Sequence, residues 1–299
     1  MFRSVCVAAI GAAVSFTSIP LFAAEPAPAG DTRYFGGLLD SRSIYGQFWF
    51  PEPLRGPEMD VDRETRLDWF HAEGDGAASN TLNAEIEYNF GNLTVEVEVP
   101  YENTRELTLD EATGMRSRDR SEGIGPVEIA ARHPIFQCVS RDNFFDYSLV
   151  GALEIAIPTN TEVGGKDFEF VPKLFQLLRL GDHFSVQSSV GLSMLAGPEE
   201  GGNNVLEYSL ILGYNIDKDQ LRIPGVSRII PILELNGETG LNRQEKGNTS
   251  LSGTVGGRVN LKPIGIAQPR FGFGYVFPLN DTARAEFDWG LVTSILFEF

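Results

Sequence analysis

Acidic side chains recur along this chain at even spacing. Glu85 and Glu87, Glu96 and Glu98, Glu234 and Glu238, and Glu286 and Asp288 all show it. On an extended backbone successive side chains point to opposite faces, so each pair shares one face. By the same parity Glu128, Glu154 and Glu207 fall on the corresponding faces of their own segments, opposed there by Arg132, Lys173, Arg258 and Arg270. Burying these charges dry would be prohibitive unless each were paired. The acids outnumber the bases by more than two to one, so pairing alone leaves carboxylates over. The expected chemistry is a wet, cation-favouring interior. The competing reading is a salt-bridged filling that conducts nothing.

Other chemistry has weaker footing. A Ser–His pair could attack an ester, but Gly-x-Ser-x-Gly does not occur, and no motif sets a serine beside His71, His133 or His183. The chain is therefore not expected to be an enzyme. No His/Cys spacing suits zinc, and Glu199-Glu200 reads as a solvated loop pair before it reads as a calcium site. No cofactor is implied. A formal net charge of −17 disfavours nucleic acid. Cys138 stands alone once Cys6 leaves with the N-terminal segment, so no intramolecular disulfide is available.

The elements that position the acids are strands. The last stretch, AEFDWGLVTSILFEF, is the clearest. Phe287, Trp289, Leu291, Thr293, Ile295, Phe297 and Phe299 share one face, and Glu286, Asp288, Gly290, Val292, Ser294, Leu296 and Glu298 share the other. Ile295, Phe297 and Phe299 resemble the terminal assembly signal of bacterial outer-membrane barrels. Working back, alternation predicts strands near 66–73, 80–89, 93–101, 125–135, 144–157, 168–179, 184–195, 204–215, 229–240, 249–262, 269–278 and 285–299. The segment 168–179 is the poorest, with both faces mixed and Pro172 inside it. Outward aromatic residues gather at both ends of the strands, as lipid–water boundaries require. Tight turns at 89–92 and 180–183 alternate with longer loops at 102–124, 158–167, 196–203 and 241–248. The 102–124 loop, dense in both charge signs, is expected at the surface or folded inward over a pore.

The fold class follows: an all-β, transmembrane, antiparallel up-and-down β-barrel of about twelve strands. Residues 1–24 read as a signal peptide, with Arg3 ahead of an apolar run and Ala23-Ala24 before the cut. Residues 25–65 form an extension rich in proline and aromatics, placed either as a lumen plug or against the periplasmic rim. Residues 66–299 form the barrel, which is expected in the bacterial outer membrane.

Two stretches resemble the outer-membrane barrel family named after the meta-pathway of phenol degradation. GIGPVEIAAR at 123–132 is similar to that family's Gly-x-Gly-Asp strand opening, with Pro126 in place of the acid. EIAIPTN at 154–160 is similar to its strand ending in Pro-Thr-Gly, with Asn160 for the glycine. The resemblance implies a barrel that carries small, aromatic or otherwise hydrophobic molecules.

The leading functional expectation is passive passage of small solutes through an acidic lumen. The alternatives are a closed structural or binding barrel, and lateral delivery of hydrophobic compounds through the wall. Expected partners are outer-membrane lipid and lipopolysaccharide, the barrel-assembly machinery and small solutes.

Overall fold

In the computed structural model the described residues are 50–57, 59, 63–74, 76–90, 93–109, 116–139, 144–159, 162–196, 204–242 and 245–299. Residues 1–24, expected to be a signal peptide, and most of the 25–65 stretch lie outside them.

Alternating apolar and polar residues sort into one closed sheet. Its strands are β1 (Glu64–Gly74), β2 (Ala77–Asn89), β3 (Thr94–Leu109), β4 (Arg116–Ile124), β5 (Val127–Val139), β6 (Phe145–Ile157), β7 (Phe168–Leu180), β8 (Phe184–Ala196), β9 (Val205–Tyr214), the short β10 (Ile216–Asp217), β11 (Val226–Gly240), β12 (Thr249–Leu261), β13 (Gln268–Pro278) and β14 (Trp289–Glu298). Neighbours run antiparallel, β14 pairs β1 from Glu64↔Glu298 to Glu73↔Trp289, and β9 pairs β11. β4 and β5 both pair with β3, and β10 only folds back on β11, so the wall has twelve staves. Closure leaves no sheet edge in hydrocarbon, where an unpaired backbone group would cost several kcal/mol.

Sidedness follows parity. Leu67, Ile86, Leu153, Leu174, Leu212, Val255, Phe273 and Ile295 are exposed on the outer face. Rings mark both rims. Tyr88 with Phe90, and Phe184 with Tyr214, cluster at the end that carries Glu64 and Glu298; Tyr275 with Phe277, and His71 between Trp69 and Trp289, cluster at the loop end. At the turn between β7 and β8, Gly181 takes φ of +61°, a left-handed conformation that favours glycine.

Two sequence expectations need correction. Residues 102–109 and 116–124 are not loop but strand, paired in register from Tyr101↔Ile124 to Leu109↔Arg116. They extend the wall beyond the belt, where both faces meet water; Arg105, Glu106, Asp119 and Arg120 are exposed. Charge on both faces conceals the strand period. Below them, the register between β3 and its partner slips by one at Gly125-Pro126, and the Gly125 N–H donates to the Pro100 carbonyl at 2.9 Å. The Thr159 hydroxyl donates to the Ile124 carbonyl at 2.7 Å, so the two family-like stretches meet at this bulge.

The second correction concerns 285–299. Residues Asp281–Glu286 form a short helix, and β14 starts only at Trp289. The Asn280 side chain accepts from the Ala283 N–H at 3.0 Å, with Asp281 in the first turn and Arg284 in the last. Capping and helix propensity outcompete alternation there. Glu286 and Asp288 are therefore exposed at the loop-end rim, not on an inward strand face.

Val255, at the middle of β12 and outward, should tolerate no charge. Val255→Arg is expected to lower stability by about 2–4 kcal/mol, read from denaturant titration in lipid vesicles.

Candidate functional site

The strand interior is divided by a segment from the N-terminal side of the barrel. Residues 50–57, FPEPLRGP, lie inside the wall; Phe50, Glu52 and Leu54 are at most 1% exposed. Pro51, Pro53 and Pro57 lack an N–H, so this strap cannot add a regular strand to the sheet. Its polar backbone atoms are met by side chains instead. The Gln187 side chain donates to the Pro51 carbonyl at 2.6 Å, and Arg66 to the Pro53 carbonyl at 3.0 Å. Arg258 donates to the Glu52 carbonyl at 2.7 Å and also to the Pro53 carbonyl. The Glu234 carboxylate accepts from the Leu54 N–H, from Arg55 at 2.9 Å and from Gly56 at 3.1 Å.

Packing matches this path. A Cβ on Gly256, Gly272 or Gly274 would stand within 3.0 Å of a Leu54 methyl, and one on Gly213 would stand 2.8 Å from Pro51 Cγ. Wall glycines thus form the socket that Leu54 fills. Around it Phe50, Leu54 and Met59 join Val150, Phe175, Leu177, Ile211, Ile230, Ile232, Val276 and Val292 in one buried apolar cluster.

Toward the loop end the interior opens into a vestibule of about 410 Å³ whose floor includes Leu54, Arg55, Gly56 and Pro57. Its lining carries eight carboxylates against three cationic side chains. Glu85, Glu98 and Glu128 stand side by side, because Glu85 pairs in register with Glu98 and Glu98 with Glu128. Like charges directly opposed destabilise a sheet. Lys173 binds Glu154 and lies 3.3 Å from Glu207, while Arg66 meets Asp68 at 2.6 Å. Arg55 lies 3.9 Å over the Phe70 ring. Glu238 is exposed at the mouth.

Near and below the strap the charges are packed tightly. Arg132 bridges Glu87 and Glu96, the latter at 2.9 Å. Arg270 bridges Glu52 of the strap and Glu298 of β14. The carboxylates of Glu85, Glu87 and Glu96 lie within 4.8 Å of one another, near enough to share a cation. Arg132 already occupies the position between two of them, so this group reads as an ion-pair cluster.

The sequence-derived acids and bases therefore separate into four groups. Glu85, Glu96, Glu98, Glu128, Glu154, Lys173, Glu207 and Glu238 line the vestibule. Glu87 and Arg132 pair beside it, whereas Glu234, Arg258 and Arg270 grip the strap. Glu286 and Asp288 are exposed at the loop-end rim, where Glu286 acts on Arg55 and Glu238 at the vestibule mouth. Sequence reasoning missed Glu52, Leu54, Arg66 and the inward apolar residues Phe175, Leu177, Ile211 and Ile230. Their signal was present as strands apolar on both faces, such as LFQLL in β7, which need something greasy inside as well as lipid outside. The histidines make structural contacts: His71 with Asn80 at 3.0 Å, His133 with the Pro134 carbonyl at 2.7 Å and His183 with the Asn215 carbonyl at 2.8 Å.

No protein-family model and no curated protein sequence matches the chain. Among solved structures, an outer-membrane channel from Pseudomonas putida F1 aligns with a TM-score of 0.54 and 14% identity, over 84% of this chain and 100% of that one. The NanC porin aligns with a TM-score of 0.44 and 8% identity, over 79% of this chain and 98% of that one. At such identity the first likeness speaks for the fold. Together with the apolar outer belt and its aromatic rims, it establishes the chain as a closed antiparallel β-barrel of the bacterial outer membrane.

Proposed function

We propose that the barrel passes small solutes and favours cations, drawing them through the acidic vestibule toward the strap. One observation carries this reading: Glu85, Glu98 and Glu128 stand in register on adjacent strands lining a cavity of about 410 Å³. Such a row lowers its own repulsion by holding water and cations. The family resemblance at 123–132 and 154–160 fits a transporter-like barrel and remains part of the proposal. So do assembly through Ile295, Phe297 and Phe299, and lipopolysaccharide around the loop end.

In planar bilayers the purified barrel should give small, cation-selective currents. Glu98→Gln combined with Glu128→Gln should move the reversal potential under a salt gradient toward zero. Anion-selective wild-type currents, or correctly folded barrels that stay silent, would refute the reading.

Lateral delivery of hydrophobic compounds has its own support. Pro172 has no N–H for the ladder, and the pairing of β7 with β8 lapses between Phe170↔Met194 and Lys173↔Gly191. A notch of about 290 Å³ opens on the outer wall there, lined by Pro172, Leu174, Val190, Leu192 and Leu206, with Lys173 and Gly191 common to the notch and the vestibule. Leu192→Trp should fill the notch and slow uptake of a small aromatic hydrocarbon while leaving ion currents intact. Equal uptake by variant and wild type would count against the lateral route.

A further inference from the structure

We propose that Glu234 is the latch of an internal gate: its carboxylate holds the strap across the lumen, and loosening that grip releases the strap and opens the vestibule floor. This rests on the passage reading above and names what regulates it.

Besides the Glu52–Arg270 ion pair and the carbonyls bound by Arg66, Gln187 and Arg258, the strap is tied through its N–H groups. Three of its eight residues are prolines without a donor. Its N–H groups at Leu54, Arg55 and Gly56 converge on the single Glu234 carboxylate, an anion nest of consecutive backbone donors. Bonds to an ionised acceptor are stronger than neutral ones such as that from Gln187, and Glu234 alone gathers three consecutive strap residues on one side chain. Leu54 sits in the socket formed by Gly256, Gly272 and Gly274, which a side chain at any of the three would fill. The wall is thus shaped for the apolar side chain of Leu54, while the hold on the strap's N–H groups is polar. Water and cations have a way in: Asn236, two residues along β11 on the same face as Glu234, lines the vestibule. A cation arriving there competes with the three N–H groups for the carboxylate, which couples entry of the solute to opening.

Glutamine keeps the shape of Glu234 but loses the charge and turns one acceptor into a donor facing N–H groups. The test uses the full barrel in lipid with Cys138→Ser. Spin labels at positions 55 and 120 report the distance from strap to β4. Glu234→Gln should raise the displaced-strap population about tenfold or more, the factor lost with one charge-assisted hydrogen bond, and Glu234→Asp should give an intermediate rise. Should Glu234→Gln fail to fold, Glu234→Asp alone decides. Distance distributions identical to wild type overturn the latch. In a second arm, Pro51→Cys with Gly213→Cys ties the strap to β9, since Pro51 Cγ lies 2.8 Å from a Gly213 Cβ position. In the Glu234→Gln background, currents should rise several-fold on reduction of the tether and fall on its oxidation. A displaced strap without added current would support the latch and refute passage through the lumen.

Discussion

Every backbone N–H and C=O in the hydrocarbon belt must find its partner within the protein, and a strand finds it only in neighbouring strands. That requirement closes the sheet from β14 to β1 and from β9 to β11. Once closed, the wall has two surfaces and period-two side chains divide between them. Leu153 and Ile155 meet lipid because Glu154 does not. The carboxylates gather in one confined volume not because they attract one another but because lipid excludes them.

Confinement then sets the interior electrostatics. Where cationic groups reach, ion pairs fill the space: Arg132 with Glu87 and Glu96, and Arg270 with Glu52 and Glu298. Where carboxylates outnumber the cationic groups, the row of Glu85, Glu98 and Glu128 borders a cavity. The two sequence-level readings, wet lumen and salt-bridged filling, thus describe different levels of one barrel. The strap marks their border. It supplies Glu52 to the packed side and the floor to the open side.

The strap also explains the least regular strand. β7 looks poor as a barrel strand because Val171, Phe175 and Leu177 point inward while Leu174 and Leu178 point outward. A water-filled pore would not want those inward residues. An apolar cluster built on Phe50, Leu54 and Met59 does. Pro172 fits the same strand because it faces outward where the ladder lapses.

Alternation by itself determined the fold class, the number of staves, the inward face of each strand and most of their limits, because lipid on one side enforces a period that residue types record directly. It misjudged 102–124, where water on both faces removes the period, and 285–288, where an asparagine cap and helix-forming residues act locally against it. Only the tertiary structure decided which acids are paired, that Glu234 meets backbone donors instead of a solute, and that residues 50–57 cross the lumen. Those outcomes depend on segments distant in sequence meeting inside the barrel, such as Glu52 of the strap with Arg270 and Leu54 with Gly274. No spacing along the chain encodes such a distance.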